Sequence, residues 1–315
     1  MNILELPLAR AAIDRAGELR LAPEKLSELW ETGRIIHLAS GKFLTAADAN
    51  SLKFLTKGDI VKLQGSGEFA SGEKLFLGIS EGVGYFAWCA DAMDLESLAL
   101  KLEYKTLREI GDGLTDLEMG LAIHAQALSN WHHTHPHCAR CGDTTTSAQG
   151  GSLRVCDKDG SEHYPRTDPA IIVLVKDKDD RVLLGRQSVW PEHRFSCFAG
   201  FVEPGESFEQ CVIREVGEEA GVVVSEISYL GSQPWPFPAS IMIAFQATTL
   251  QPELARPDAT EIEEIRWLSR EQMRAAVADG SLLLPPGMSV ARKMIESWYG
   301  KNAAQDLSGG ERWRS

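Results

Sequence analysis

The stretch Gly200–Val222, GFVEPGESFEQCVIREVGEEAGV, constrains the fold of this chain more than any other segment. Its part from Ser207 to Ala220 is predicted to form a helix, because helical apolar spacing runs through it and Gly221 then supplies a C-terminal stop. Several glutamates lie in the last turns of this helix. On an arbitrary helix such residues form a solvated face, so their position relative to the apolar residues decides their role.

The spacing places two of these carboxylates on the inward face of the helix. At roughly 100° per residue, Phe208, Cys211 and Val212 form one apolar stripe that faces a sheet. Glu215 and Glu219 continue that stripe, and inward-facing carboxylates require a partner or a cation. The negative end of the helix dipole disfavours them by up to ~1 kcal/mol each. Clustered oxygen ligands suit Mg²⁺ or Mn²⁺, so the pattern indicates a divalent-metal site.

Composition bounds the class of protein. The chain has 315 residues, which suits two domains, and its 43% hydrophobic and 24% charged residues are typical of a globular protein. A formal net charge of −13 disfavours tight, sequence-independent binding of long nucleic acid. No apolar run approaches the ~20 residues of a membrane span, and the N-terminus lacks a signal-peptide pattern. We therefore expect no membrane partner, a cytoplasmic location and reduced cysteines.

Periodicity predicts an α+β fold in which strands and helices mix without regular alternation. The expected strands are Lys74–Ser80, Tyr85–Cys89, Ala170–Lys176, Arg181–Arg186, Val222–Leu230 and Ile241–Thr249. The expected helices are Glu118–Trp131, Ser207–Ala220, Ser269–Ala278 and Ser289–Tyr299. The segment from His132 to Pro169 is rich in His, Cys, Gly, Asp, Thr and Pro, and is expected to be a loop-built module between two domains.

Residues 200–222 resemble the Nudix box, G-x5-E-x7-R-E-U-x-E-E-x-G-U, where U is a bulky aliphatic residue, and they match it at every fixed position. The resemblance implies an enzyme that hydrolyses a nucleoside diphosphate linked to another group, X. It also implies a mixed-sheet α/β/α Nudix sandwich, preceded by a zinc-ribbon-like module and a smaller α+β N-terminal domain. The expected boundaries are 1–131 for the N-terminal domain, 132–168 for the module, 169–300 for the Nudix domain and 301–315 for a tail.

The same resemblance implies roles for individual residues. The metal ligands for Mg²⁺ or Mn²⁺ would be Glu215, Glu219, Glu261 and the backbone carbonyl of Ala199. Catalysis would also involve Arg214, which orients the glutamates, and Glu218 as a candidate general base, while Glu206 would support the loop. Near Glu261, a solvated turn is the preferred interpretation for Glu263.

The identity of X is indicated by a second motif, Ser232–Ser240, with sequence SQPWPFPAS. Its prolines exclude a central strand and make a rigid aromatic wall. Placed after a Nudix box, the motif resembles the NADH pyrophosphatase branch, which implies cleavage of NAD(H) to NMN(H) and AMP. Segments His163–Pro169 and Pro285–Arg292 match the same branch. The implied substrate-binding residues are Gln233, Pro234, Trp235, Pro236, Phe237, Pro238, Ala239, Ser240, Tyr164, Phe201 and Ala291, with Gln233 and Ser240 as hydrogen-bond donors and the aromatic side chains as stacking partners.

This branch also removes NAD caps from RNA, so the NAD-capped 5′ end of RNA is a further expected substrate, and a homodimer is implied. Two alternatives stay open at this point. One is a broader hydrolase of ADP-ribose or other dinucleotides. The other is a non-catalytic nucleotide sensor on a Nudix scaffold, which the intact Glu215, Glu218 and Glu219 disfavour.

Cys138, Cys141 and Cys156 have the zinc-ribbon spacing of that branch for three ligands. The expected fourth cysteine is absent, and a structural zinc site needs four ligands. Asp159 or His163 are candidate substitutes, and His137 lies next to Cys138. The alternative is a metal-free ribbon whose thiols only pack, so the sequence leaves zinc open.

Overall fold

The computed structural model describes residues 5–10, 12–47, 50–65, 72–90 and 103–308. Its helices are α1 (Pro23–Thr32), α2 (Lys57–Gly65), α3 (Leu107–Ile110), α4 (Asp116–Thr134), α5 (Phe208–Ala220), α6 (Arg270–Asp279), α7 (Val290–Tyr299) and α8 (Ala303–Asp306). Short 3-10 turns cover Pro7–Ala9, Gly17–Leu21, Gly111–Gly113, Gln149–Gly151 and Pro252–Leu254. Within the described ranges, no helix is long and apolar enough to cross a bilayer.

The strands are β1 (Arg34–Ala39), β2 (Lys42–Leu44), β3 (Gly72–Ser80), β4 (Val83–Ala90), β5 (Tyr104–Thr106), β6 (Thr145–Ala148), β7 (Leu153–Cys156), β8 (Glu162–His163), β9 (Asp168–Lys176), β10 (Val182–Gln187), β11 (Phe198–Phe201), β12 (Ser225–Trp235), β13 (Ser240–Thr248) and β14 (Ile262–Leu268). The expected strands and helices are all present, with ends that shift by a few residues. The described residues form two compact units.

The first unit comprises Met1–Ala9, Asp168–Pro234 and Ser240–Ser315. Its sheet has the order β12-β13-β9-β10-β14, and β11 pairs with β9. Strand β9 runs parallel to β13 and antiparallel to β10 and β11. This mixed sheet explains why Ala170–Val175 is continuously apolar, because helices cover both faces of its central strand.

Alternate residues of β9 belong to different cores. Ile171, Val173 and Val175 pack with the buried residues of α5, whereas Ile172 and Leu174 pack with buried residues of α6 and α7. The two faces follow from the period-two alternation of side chains along a strand. The α+β class and the α/β/α Nudix sandwich expected from the sequence are thus confirmed.

The N-terminal segment gives an unexpected contribution to this first unit. Leu6 is buried in the same core as α6 and α7. The backbone N–H of Leu8 donates to Gln233 Oε1 at 3.0 Å. The expected boundaries, which place residues 1–131 together, did not anticipate this packing, because an isolated LELPL segment carries no signal of a distant partner. Of the expected tail 301–315, residues 303–306 form α8, and 309–315 lie outside the described residues.

The second unit comprises Arg10–Thr167 and Trp235–Ala239. It contains a five-stranded sheet, β3-β4-β1-β2-β5, and a separate three-stranded sheet, β6-β7-β8. The latter lies in the segment from His132 to Pro169, so a module is present there, but the expectation that loops build it was wrong. Short strands such as Glu162–His163 are too brief to show a period in the sequence.

Candidate active site

A loop and a helix bring the box residues together in the first unit. Strand β11 pairs with β9, with Ala199 opposite Ile172. Helix α5 starts with a capping box: Ser207 Oγ accepts from Gln210 N–H at 3.2 Å, and Ser207 N–H donates to Gln210 Oε1 at 2.8 Å. The helix ends at Gly221, whose φ of 68° favours glycine. These signals fix the two ends of α5, and its apolar residues set the face that packs on the sheet.

The buried face of α5 consists of Cys211, Val212, Val216 and Ala220, all fully buried. The expectation for Phe208 was wrong, because the buried stripe starts only at Cys211 and Phe208, in the first turn, is 42% exposed. The expected inward position of the glutamates is seen most fully at Glu219, which is 4% exposed.

Arg214 connects the carboxylates of the box. Its Nε and Nη2 donate to the two carboxylate oxygens of Glu206, each at 2.9 Å. Its Nη1 donates to Glu215 at 2.7 Å and to Glu218 at 3.1 Å, and Nη2 also donates to the carbonyl of Phe201 at 3.0 Å. The paired guanidinium lowers the pKa of Glu206 to about 2. Bidentate pairing of this kind fixes geometry as well as charge, so Arg214 orients the loop and the helix together.

Glu219 is a buried carboxylate without a complete set of partners. Among the described residues, its Oε2 is one of the buried polar atoms with no hydrogen bond, although Ala199 N–H donates to the carboxylate. Burial, and then the charges of Glu215, Glu261 and Asp258, raise the pKa of Glu219 to about 8. Burial also raises the pKa of Glu215. An open, buried oxygen among four carboxylates fits a divalent cation with oxygen ligands, which is the chemistry of Mg²⁺ or Mn²⁺.

Gly200 makes room for this arrangement. A Cβ added at Gly200 would lie 1.9 Å from Glu215 Oε1. The carboxylate of Glu215 therefore occupies the space that a side chain at position 200 would need. This close approach gives a physical reason for the glycine that begins the box.

We expect the substitution Gly200→Ala to displace Glu215 and to weaken Mn²⁺ binding by at least about tenfold, as for other changes next to metal ligands. Gly217→Ala is the matched control, because a Cβ there meets nothing within 4 Å. That change should leave Mn²⁺ affinity in place and stabilise the helix by up to ~1 kcal/mol. Titration calorimetry with Mn²⁺, together with thermal denaturation, measures both. Equal Mn²⁺ affinity in wild type and Gly200→Ala would contradict the steric argument.

Asp258 is a neighbour of the site that the sequence analysis missed. Its carboxylate accepts from the N–H groups of Ile262 at 2.7 Å and Glu261 at 3.0 Å. Although burial acts in the opposite direction, these donors lower the pKa of Asp258. The sequence signal that could have identified Asp258 is an aspartate three residues before a glutamate at the start of a strand. Asp258 shapes the turn that presents Glu261, whose own carboxylate accepts from Gln187 Nε2 at 3.3 Å.

Glu263 differs from its expected place in a solvated turn. It lies in β14, which pairs with β10, and its exposed carboxylate accepts a hydrogen bond from Arg186. Ion pairing across two strands, rather than solvent alone, therefore satisfies Glu263.

Gln233 does not have the expected role of a hydrogen-bond donor to substrate. It is fully buried, its Oε1 accepts from Leu8 N–H at 3.0 Å, and its Nε2 donates to the carbonyl of Met288 at 3.0 Å. Both ends of the amide therefore hold protein backbone. Pro234 lies beside it in β12, an edge strand, where a missing N–H is tolerated. The first residues of the motif are thus strand, not loop.

The other expected substrate-binding residues of the first unit differ in exposure. Phe201 is 61% exposed, and Ser240 is half-buried at the start of β13. Ala291 is buried in α7. Phe201 and Ser240 are therefore open to a ligand, whereas Ala291 belongs to the hydrophobic core.

The remaining expected residues belong to the second unit. The rings of Trp235 and Phe237 meet edge to face, with centroids 5.0 Å apart and planes at 70°. Pro236 is buried, while Pro238 is exposed and Ala239 half-buried. Tyr164 is 64% exposed, and its hydroxyl donates to Glu162.

A second cluster of ligand atoms lies in the three-stranded sheet of the second unit. Atoms of Cys138, Cys141, Cys156 and Asp159 all lie within 4.8 Å of one another. Backbone N–H groups donate to two of the sulfurs, from Arg140 to Cys138 and from Asp159 to Cys156, each at 3.4 Å. Three thiolates and one carboxylate supply the four ligands of a tetrahedral zinc site.

The structure selects Asp159 among the substitutes that the sequence left open. Asp159 Oδ1 accepts from the N–H of Ser161 at 2.9 Å and from its hydroxyl at 2.6 Å. These bonds hold the pKa of Asp159 well below its usual range and so favour the charged carboxylate. His163 Nε2 instead lies 3.3 Å from the Ser161 hydroxyl. The cluster is therefore compatible with zinc despite the missing cysteine.

Three family profiles match the chain. The NUDIX domain matches residues 166–286, the NADH pyrophosphatase zinc ribbon domain matches 133–164, and the NADH pyrophosphatase-like rudimentary NUDIX domain matches 32–131. The NAD-capped RNA hydrolase NudC of Mycobacterium bovis (strain BCG / Pasteur 1173P2) is 39% identical over 302 residues, covering 92% of this chain and 94% of that protein. NudC of Mycobacterium tuberculosis (strain H37Rv) matches with the same identity and coverage.

A human relative, the NAD-capped RNA hydrolase NUDT12, is 38% identical over 197 residues, which are 59% of this chain and 42% of that protein. A solved Nudix hydrolase structure from Nitrosomonas europaea is 24% identical, with a TM-score of 0.38, and covers 43% of this chain and 78% of that chain. The mixed sheet, its helices and the box define a Nudix hydrolase, and the chain belongs to that family. Within the family it belongs to the NudC branch, because the identity to the NudC proteins extends over nearly the whole chain.

Proposed function

We propose that this protein is a Mg²⁺- or Mn²⁺-dependent diphosphatase that cleaves NAD(H). Water adds across the diphosphate linkage, and the products are NMN(H) and AMP. The observation that carries the proposal is the buried Glu219, whose Oε2 has no partner among the described residues, beside Glu215 in a complete Nudix box. The names of the NudC relatives and the NADH pyrophosphatase profiles support the nicotinamide nucleotide as the substrate.

The roles proposed for the residues of the first unit follow from their positions. Glu215, Glu219, Glu261 and the carbonyl of Ala199 hold the metal. When bound, Mg²⁺ or Mn²⁺ neutralises charge on the phosphoryl oxygens and lowers the pKa of a water. Arg214 keeps Glu215 and Glu218 in place through its hydrogen bonds.

Glu218 is the candidate general base. Its side chain is 61% exposed, so its carboxylate can reach a water from the solvent side of α5. A general base needs such access to the proton that it removes.

The aromatic residues supply the substrate-binding part of the proposal. Trp235, Phe237, Tyr164 and Phe201 offer ring faces or edges to a nicotinamide or adenine ring. Ser240 offers a hydroxyl. Gln233, because both ends of its amide are already bonded, contributes by holding the start of this motif.

We propose the NAD-capped 5′ end of RNA as a second substrate with the same scissile linkage. Hydrolysis releases NMN and leaves a 5′-monophosphate on the RNA. The net charge of −13 opposes tight binding of the RNA body, so recognition is expected to be confined to the cap. The homodimer, the cytoplasmic location and the boundaries at residues 131, 168 and 300 remain predictions.

Product identification tests the proposed activity. We expect NMNH and AMP from NADH, and NMN from NAD-capped RNA, in the presence of Mg²⁺ or Mn²⁺ and not of EDTA. ADP-ribose and diadenosine polyphosphates serve as competing substrates in parallel reactions. A higher kcat/KM for ADP-ribose than for NADH would favour a broader diphosphatase. Binding of NADH without turnover of any of these compounds would favour a nucleotide sensor.

A further inference from the structure

The aromatic segment Trp235–Ala239 belongs to the same compact unit as α3 and α4. Prolines at 234, 236 and 238 have no backbone N–H, so the segment offers few donors to a strand or a turn. Within the segment, the N–H of Phe237 donates to the carbonyl of Trp235 at 2.7 Å. The backbone carbonyl groups are therefore the main hydrogen-bonding groups through which other residues can fix the shape of the segment.

Asn130, near the end of α4, binds two of these carbonyls. Its Nδ2 donates to the carbonyl of Pro236 at 3.1 Å and to that of Pro238 at 2.8 Å. An amide nitrogen has two hydrogens, and both are used here. Gln126, which is buried one turn earlier, donates its Nε2 to Asn130 Oδ1 at 2.7 Å. This bond fixes which end of the Asn130 amide faces the segment.

Arg108, in α3, lies against the two aromatic rings. Its guanidinium carbon is 4.4 Å from the centroid of the Phe237 ring and 5.5 Å from that of Trp235. Both distances lie within the range of a cation–π contact. The capping box between Thr106 and Glu109 holds the first turn of α3 and thereby the backbone of Arg108.

We propose that Asn130 and Arg108 are positioning residues that hold Trp235–Ala239 in the shape that binds the nicotinamide dinucleotide. The inference deepens the proposed function and rests on it. Asn130 fixes the backbone on both sides of Phe237, and Arg108 fixes the pair of rings. Both residues act on the aromatic segment, and neither is one of the proposed metal ligands or the candidate base. Loss of either contact therefore weakens substrate binding and leaves the chemical step in place.

Asn130→Asp is the most informative variant, because it keeps the shape of the side chain and replaces both donors by an acceptor. We expect the KM for NADH to rise about tenfold, from the loss of two hydrogen bonds, while kcat changes by less than about twofold. Arg108→Ala should raise KM by a few fold, and Arg108→Lys, which keeps a cation over the rings, should restore part of the loss. His133→Gln is the matched control on α4, since His133 is exposed near the end of the same helix.

Calorimetry separates this inference from the proposed function. NADH is titrated, with Mg²⁺ present, into Glu219→Gln protein with and without Asn130→Asp, so that binding is measured without turnover. A higher Kd for NADH in the double variant supports the positioning role. This holds even if wild-type protein does not hydrolyse NADH, and only the proposed function would then fail. Hydrolysis of NADH by wild type together with unchanged KM and Kd in the Asn130→Asp proteins would overturn the positioning role. A fall in kcat at unchanged KM would overturn it as well.

Discussion

Glu219→Gln is expected to lower the turnover of NADH by at least about 10³-fold without loss of the fold. A neutral amide of the same shape removes a metal ligand, and metal-assisted stabilisation contributes several kcal/mol, at ~1.4 kcal/mol for each tenfold change in rate. Folding is retained because the side chain keeps its volume in a site where it is 4% exposed. Steady-state kinetics and circular dichroism measure the two effects.

Glu209→Gln is the matched control for this variant. Glu209 undergoes the same chemical change on the same helix, but it is exposed in the first turn of α5. We expect it to keep wild-type kcat. Turnover by Glu219→Gln within about tenfold of wild type would show that Glu219 is not a ligand of the catalytic metal.

Because the pKa of Glu219 is raised, the melting temperatures of wild type and Glu219→Gln should depend differently on pH. In EDTA, the folded protein holds a proton on Glu219 up to a pKa of about 8, whereas the unfolded chain releases it at the ordinary value of 4.5. The stabilising contribution is complete below the unfolded value and is lost as the pH rises through about 8. The melting temperature of wild type should therefore fall between these values more steeply than that of Glu219→Gln. Mg²⁺, which binds the ionised form, should reverse the fall at high pH.

The second large effect is expected at the cysteine cluster. Wild-type protein should hold one zinc per chain, and Asp159→Ala should weaken zinc binding by at least about 10²-fold, because a tetrahedral site then lacks a protein ligand. Asp159→Cys should instead bind zinc more tightly than wild type, since it supplies a fourth thiolate at the position now occupied by the carboxylate. Metal analysis and competition with a chromogenic chelator measure both changes.

Cobalt substitution identifies the ligands directly. Wild-type protein loaded with Co²⁺ should show the charge-transfer absorption of three thiolates, and Asp159→Cys that of four. Asp157→Asn is the control, because the Asp157 carboxylate accepts hydrogen bonds from Thr144 and Thr146 and lies outside the four-residue cluster. Equal zinc retention by wild type and Asp159→Ala would rule out the carboxylate as a ligand.

Local signals in the sequence were sufficient to predict helix α5 and the position of Glu219 on it. The ends of α5 follow from Ser207 and Gly221, and helical spacing alone puts Glu219 on the buried face. These features depend on neighbours within a few residues, so one sequence suffices to predict them. Phe208 was predicted wrongly for a physical reason. Helical spacing predicts on which face a side chain lies, but not how far along the helix other residues cover that face.

Long-range partners could not be predicted in this way. Gln233 has the motif position of a ligand-binding residue, but it accepts from the N–H of Leu8 and donates to the carbonyl of Met288, which lie 225 and 55 positions away. For the cysteine cluster, the spacing offered Asp159 and His163 as substitutes, and only the fold of a short hairpin shows that Asp159 is the one that joins the three cysteines. The contacts of Gln233, and the choice between Asp159 and His163, therefore depend on the folded chain.

The packing of Leu6 and Leu8 also bears on how the protein acquires its fold during synthesis. The bond between Leu8 and Gln233 joins residues 225 positions apart, and Leu6 packs with residues of α7, which is made later still. Leu6 and Leu8 must therefore wait until Gln233 and α7 have been made before their partners exist. The second unit, whose residues lie mostly between these partners, can be completed earlier except for Trp235–Ala239. The core of the first unit is therefore completed only after α7 has been synthesised.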